Sequence, residues 1–98
     1  MQYTVEKTEE FNKWQRNIKD RLAKQMVSIR IMRAEQGNFG KHKPLCNGVS
    51  EMKIDIGKGY RVYYTIRQQK IILLLCGGEK STQDEDIKKA IKIAEQIK

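Results

Sequence analysis

Residues 51–81, EMKIDIGKGYRVYYTIRQQKIILLLCGGEKS, combine strand patterning, turn residues and an ordered set of cations. From Glu51 to Ile56 apolar and polar residues alternate. Met52, Ile54 and Ile56 fall on one side, and Glu51, Lys53 and Asp55 on the other, as a period-two strand requires. Gly57-Lys58-Gly59 reads as a hairpin loop, because glycine supplies the positive φ of such turns. The next strand places Tyr60, Val62, Tyr64 and Ile66 on the apolar side and Arg61, Tyr63 and Thr65 opposite. Gln68-Gln69 makes a second turn. Lys70 to Cys76 is a continuous apolar run, the mark of a central strand covered on both faces.

A pairing of Ile56 with Tyr60, and of Arg67 with Lys70, sets Asp55 opposite Arg61 and Lys53 opposite Tyr63. Cys76 then lies beside Arg61, and Leu74 beside Tyr63. One face becomes Met52, Ile54, Ile56, Tyr60, Val62, Tyr64, Ile66, Ile71, Leu73 and Leu75. The other carries Lys53, Asp55, Arg61, Tyr63 and Thr65, with Ile72, Leu74 and Cys76 at one side. A slip of one residue would exchange the faces of a strand.

The flanking segments supply the cover. Tyr3 and Val5 alternate with polar residues in a short strand. Thr8 is suited to cap a helix carrying Phe11, Trp14 and Ile18 at helical spacing, with Glu9 and Glu10 at its positive end. Asp20 caps a second helix from Arg21 to about Gln36. Its apolar face joins Leu22, Met26 and Ile29 to Ala23, Val27, Ile31 and Ala34. Arg30 and Arg33 fall in the middle of that face, so they are expected to meet an acid or a carbonyl inside the fold. Gly37 follows as the terminating glycine. Gly37 to Pro44 reads as a loop bearing Lys41, His42 and Lys43. Leu45 and Cys46 enter a short strand ended by Asn47-Gly48. Gly77 to Lys80 ends the long apolar strand. Ser81 or Thr82 then caps a last helix, Thr82 with Glu85 having capping-box spacing. Ile87, Ala90, Ile91, Ala94 and Ile97 form its stripe, expected to pack beside Ile72 and Leu74. Asp84, Glu85 and Asp86 suit its N-terminal end, and Lys92 and Lys98 its C-terminal end.

No repeat or linker divides the chain, so residues 1–98 read as one domain, a size that supports one core. Lys and Arg number 20 against 12 Asp and Glu, a net charge of +8. That excess attracts an anionic partner: nucleic acid, a membrane surface or an acidic protein. No apolar run approaches the ~20 residues of a membrane span. The N-terminal segment has no secretory pattern. Cys46 and Cys76 belong to no CxxC, and His42 has no partner at metal spacing, so neither a metal nor another cofactor is expected. Reduced thiols and a cytoplasmic location fit these features.

Three segments, RIMRAEQGNFGKHKPL (30–45), GVSEMKIDIGKGYRVYY (48–64) and IILLLCGGEKSTQDEDI (71–87), resemble the RelE/ParE superfamily of bacterial toxins, in its HigB-like, phage-derived addiction-module branch. The resemblance implies an α+β, microbial-ribonuclease-like domain. Its antiparallel sheet would carry two N-terminal helices on one face, with a C-terminal helix completing the domain. It implies the toxin of a type II toxin–antitoxin system, acting as a metal-independent endoribonuclease (mRNA interferase) on ribosome-bound mRNA. A cognate antitoxin, of helix-turn-helix type and encoded alongside, would neutralise it, and the pair would bind operator DNA. The alternative is the ParE mode, which inhibits DNA gyrase without cutting RNA.

Carried over residue by residue, Arg61 matches the arginine that stabilises the transition state, Lys53 a basic residue lining the cleft, and Lys80 a second cation after the last strand. These three are the expected catalytic residues. Lys41, His42, Lys43, Lys58 and Tyr63 are the expected RNA contacts, Tyr63 by stacking on a base. Lys53 is the expected general base. His42 is a further possibility for that role. Arg61 keeps two readings, a phosphate-binding fork and a cross-strand ion pair with Asp55. Asp55, acidic where ribonuclease members carry lysine, departs from the pattern. So does the lack of Tyr or His in the last helix, where Asp86 occupies the region.

Overall fold

In the computed structural model, which describes residues 2–97, the chain runs β1 (Thr4–Lys7), α1 (Glu9–Arg16), α2 (Arg21–Glu35), β2 (His42–Pro44), β3 (Ser50–Ile54), β4 (Tyr60–Arg67), β5 (Ile71–Glu79) and α3 (Gln83–Gln96). The strands form one sheet in the order β1-β5-β4-β3-β2. Strands β2 to β5 are antiparallel, and β1 adds a parallel edge to β5. The α+β architecture agrees with expectation. Helices α1 and α2 cover one face, and α3 part of the other. The charge expected of Lys98 at the end of α3 lies outside the described residues.

Local chemistry explains the helix boundaries. The Thr8 hydroxyl accepts the Phe11 N–H at 3.0 Å, and Asp20 accepts the Ala23 N–H at 3.1 Å. Each satisfies an amide that the first helical turn leaves free. Gly37, at φ 90°, follows α2, where its N–H bonds to the Ala34 carbonyl. Helix α1 stops at Arg16, short of Ile18 in its stripe; Ile18 still packs on the core from the connection. At α3 the capping box does not form. The chain enters through a tight turn, Lys80–Thr82, and the Thr82 hydroxyl donates to the Asp86 carboxylate at 2.6 Å instead.

The pairing differs from expectation in three places. Ile54, not Ile56, faces Tyr60, so Lys53 lies opposite Arg61 and Glu51 opposite Tyr63. The shift is two residues, so the faces of β3 survive, and Asp55 moves into the hairpin loop. Across the second turn Arg67 pairs with Ile71 rather than Lys70. This is a one-residue offset, which reverses the faces of β5. Ile72 and Leu74 therefore face α1 and α2, while Leu73 and Leu75 face α3. Between Tyr63 and Tyr64 the register shifts again, because Leu75 is an extra residue in β5, a bulge. Cys76 thus sits beside Tyr63, and Gly78 beside Arg61.

Gly77 and Gly78 do not end the strand. They continue it to Glu79 because both helices press on them. A Cβ on Gly77 would lie 2.3 Å from the Trp14 ring, and one on Gly78 would overlap the Asp86 carboxylate. The Gly37–Pro44 segment is likewise not all loop: His42–Pro44 pairs with Ser50–Met52 as an edge strand, a position that tolerates proline. The strand expected at Leu45 and Cys46 is instead the entry to a turn through Asn47 and Gly48, both at positive φ.

The larger core lies between the sheet and α1–α2, and includes Phe11, Val27, Ile31, Met52, Val62, Tyr64, Ile72 and Leu74. A smaller core under α3 joins Val49, Tyr63, Leu73, Leu75, Cys76 and Ala90. Of the broad face of α2, only the Ala23, Val27, Ile31 and Ala34 stripe is buried; Leu22, Ile29 and Met32 are exposed. Arg30 is buried as expected, and Arg33 is exposed. No helix of the described residues is long and apolar enough to cross a membrane.

Gly77→Ala should lower stability by about 1–3 kcal/mol, since the Trp14 ring must be displaced. Gln69, held at φ 56°, should gain roughly 1 kcal/mol on replacement by glycine, which adopts that conformation without the penalty of a Cβ. Urea denaturation of the two variants measures both effects, with opposite signs.

Candidate functional site

The cations expected at the site converge where α3 ceases to cover the sheet. Lys53 and Arg61 are direct cross-strand neighbours on the same face. Two adjoining recesses open there, and both include Lys53 and Arg61 in their walls. One, about 270 Å³, also takes in Asp55, Lys58 and Lys80. The other, about 310 Å³, takes in Lys41, His42, Lys43 and Glu51. The fold thus gathers seven of the eight expected residues from four separate stretches. Lys80 reaches the site because its N–H bonds to the Gly59 carbonyl at 2.8 Å, drawing the end of β5 onto the β3–β4 hairpin.

Tyr63 is the exception and requires a correction. It is fully buried under α3, so no base can stack on it. Its hydroxyl has no hydrogen-bond partner, and burial, followed by the nearby Glu51 charge, pushes its pKa well above the ordinary phenol value.

The acids are placed differently from the sequence expectation. Asp55 is not opposite Arg61. It sits in the hairpin loop, exposed, with Lys41 Nζ at 2.9 Å and Lys53 Nζ at 3.7 Å. Its carboxyl is held below the usual range chiefly by the hydrogen bond from Lys41. Arg61 pairs with Glu51, which sequence reasoning placed on the correct side of β3 but gave no role. The Arg61 Nε lies 3.4 Å from Glu51 Oε1, and the two side chains are 6% and 3% exposed. Gln83, at the start of α3, donates to the same Glu51 oxygen at 3.2 Å. The alternation was the available signal: an acid on the strand face that also carries Lys53 needs a cation once α3 covers it.

The Arg61–Glu51 contact is an ion pair but not an aligned hydrogen bond. Arg61 Nε and Nη1 are both buried without a hydrogen-bond acceptor. Unmatched buried donors cost roughly 1–3 kcal/mol each. Lys58 is looser, 72% exposed with Glu79 at 3.9 Å.

His42 borders the second recess by its backbone position, but it pairs with Met52, so its ring lies on the α1–α2 side of the sheet edge, 5.7 Å from the Phe39 ring. Its Nδ1 lies 2.8 Å from the Gly40 carbonyl oxygen. A carbonyl only accepts, so Nδ1 carries the proton in this contact, and in the neutral ring Nε2 is left as an acceptor. Among the described residues, no three His, Cys, Asp or Glu side chains are grouped so as to hold a metal ion. A larger groove of about 760 Å³ runs between the α1–α2 connection and the hairpin, past Trp14, Ile18 and Tyr60. Its charged residues are of both signs, Lys19 and Lys58 with Asp20 and Glu79, so it lacks the cationic character of the smaller recesses.

A family model described as "Phage derived protein Gp49-like" matches residues 9–98. An uncharacterized protein of Haemophilus influenzae is 41% identical over 97 residues, covering 99% of this chain and 98% of that protein. Among solved structures, a mutant of the E. coli toxin RelE in the free state superimposes with a TM-score of 0.74 at 17% identity, covering 94% of this chain and 97% of RelE. The toxin–antitoxin complex RelBE2 from Mycobacterium tuberculosis contains a chain with a TM-score of 0.63 at 19% identity, covering 82% of this chain and all of that one. At these identities the two structures establish a shared fold.

The two acids should differ sharply on removal. Glu51→Ala strands a buried guanidinium and should cost about 3 kcal/mol or more. Asp55→Ala breaks only exposed pairs and should cost less than about 1 kcal/mol. Urea titration of both variants distinguishes them, and a larger loss at Asp55 would reverse the assignment of Arg61's partner.

Proposed function

The chain belongs to the phage-derived Gp49-like family, and we propose that it is the toxin of a type II toxin–antitoxin pair, an endoribonuclease that cuts mRNA on the ribosome. The observation that carries this reading is the Arg61–Lys53 pair at the junction of two cationic recesses, with Lys80 at one side and Lys41 and Lys43 at the other. RelE, whose fold the chain shares, is a toxin, and RelBE2 is a toxin–antitoxin complex. The exposed Leu22, Ile29 and Met32 on α2, at 58%, 38% and 63%, give a protein partner such as an antitoxin an apolar surface. The antitoxin is of helix-turn-helix type in this reading, and its complex with the toxin binds operator DNA.

RNA supplies its own nucleophile. The 2′-hydroxyl oxygen attacks phosphorus, the bond from phosphorus to the 5′-oxygen breaks, and the products are a 2′,3′-cyclic phosphate and a 5′-hydroxyl. In this scheme Lys53, the base expected from the sequence, takes the 2′-OH proton from the Arg61 face of the sheet. Arg61, in the wall of both recesses, donates to the phosphoryl oxygens as negative charge builds on them. Lys80 faces the leaving 5′-oxygen and gives it a proton. Lys41, Lys43 and Lys58 bind the flanking phosphates. Glu51 holds the guanidinium in place.

One observation favours the non-cutting, gyrase-inhibiting mode instead: Arg61 is only 5% exposed and already faces a carboxylate. Induction of the wild-type protein followed by primer extension on cellular mRNA separates the two. Cuts within translated codons are expected. Growth arrest with intact mRNA and inhibited supercoiling would establish the gyrase mode. Arg61→Lys, which retains the charge but loses the planar fork, should lower the cleavage rate by roughly 100-fold. Lys53→Ala should do likewise while remaining folded by circular dichroism.

A further inference from the structure

Arg30 lies on the opposite side of the sheet edge from the proposed reaction, and nothing in that chemistry uses it. It is nevertheless the one arginine of α2 that the fold buries, at 9% exposed. Its Nη1 donates to the Lys53 carbonyl at 2.8 Å. Its Nη2 donates to the carbonyls of Phe39 at 3.0 Å and Lys41 at 3.3 Å. These three carbonyls meet where the β2–β3 ladder runs out. The last regular pair is His42 with Met52, and beyond it a single bond from the Lys53 N–H to the Lys41 carbonyl continues the contact. Carbonyls at such an edge must find donors or water, and the guanidinium supplies them from inside the fold.

The arrangement requires the chain to pass close to the guanidinium. Gly40, between two of the bonded carbonyls, has φ 60°, and a Cβ there would lie 2.7 Å from Arg30 Nη2. Gly40's own carbonyl then holds the His42 ring. The Phe39 ring also stacks on Tyr64 in the core, with centroids 5.5 Å apart.

We infer that Arg30 is a positioning residue: by clamping the backbone of Phe39, Lys41 and Lys53 together, it sets the Lys41 and Lys53 side chains on the Arg61 face at the geometry the site requires, while the His42 ring on the near side reports the clamp. The effect on RNA cleavage rests on the function proposed above; the effect on the two side chains does not. Lysine could not replace it. An ammonium is a point donor on a shorter reach, whereas the planar fork spans three acceptors.

His42 is the only histidine in the chain, so its nitrogen resonances are unambiguous. In the wild-type protein, nitrogen NMR should show the neutral ring protonated at Nδ1. In Arg30→Lys the ring should move toward the tautomer mixture of free imidazole, and the Lys53 amide should exchange with solvent at least roughly tenfold faster than in the wild type. Amides of the central strand, such as Leu74, should change by no more than about threefold, because the opening is local. Gly40→Ala, which leaves Arg30 in place but crowds it, should reproduce both signatures. Cleavage by either variant should fall by roughly tenfold or more at saturating RNA, since a small misplacement of a reacting group is costly.

An unchanged tautomer with Lys53 and Leu74 exchange rising in step would overturn the inference and reduce Arg30 to a general stabiliser. Displaced His42 and Lys53 signals with wild-type cleavage would overturn the link to the site. A wild-type protein that cuts no RNA refutes the proposed function, while the NMR and exchange results still decide the positioning of His42 and Lys53.

Discussion

Strand β4 meets β5 with Arg67 opposite Ile71, and beyond the Leu75 bulge with Arg61 opposite Gly78. Most of the molecule depends on that pairing. It sends Ile72 and Leu74 to the α1–α2 core and Leu73, Leu75 and Cys76 to the α3 core. It also brings two glycines level with the charged end of β4. Without side chains there, Trp14 can press on one face of β5 and Asp86 on the other. Helix α3 is thereby drawn close enough for Gln83 to reach Glu51. Burial of one arginine thus follows from the pairing of two strands and the lack of two Cβ atoms.

The cationic edge is held together by backbone rather than by charge. Lys41, Lys53, Lys58, Arg61 and Lys80 repel one another, and their acidic neighbours offset that only in part. Asp55 and Glu79 form exposed pairs, each worth little. What keeps the cluster in place is a buried framework: Arg30 beneath β2 and β3, Glu51 against Arg61, and the Lys80 amide on Gly59. Rigid backbone with loosely paired lysines suits the phosphate binding proposed for this edge. The chain's net charge of +8 adds long-range attraction for a polyanion, which weakens as salt is raised.

Much of this was legible in the residues. Thr8, Asp20 and Gly37 marked the ends of the first two helices, and the alternation from Glu51 to Ile54 placed Lys53, Arg61 and Tyr63 on one face. Where the reading departed, the cause was register or distance. Gly57-Lys58-Gly59 looked like the whole hairpin, although the loop begins at Asp55. Gly77-Gly78 looked like a turn because glycine usually marks one; here it marks close approach by two helices. Leu22 and Ile29 looked buried because they are apolar at helical spacing, yet the sheet is wide enough for only one stripe of α2.

Composition, period and caps determined the elements, their order and which side of each strand is polar, because these follow from chemistry within a few residues. Which acid meets Arg61, that Tyr63 lies beneath α3, and that Arg30 clamps three carbonyls were decided only in the tertiary structure. Those contacts join residues 9 to 32 positions apart, or depend on an offset of one or two residues across a turn. Alternation is indifferent to a shift of two and reversed by a shift of one. The sequence therefore named the cations that gather at this edge, while the packing of α2 and α3 decided how far each is buried and what holds it.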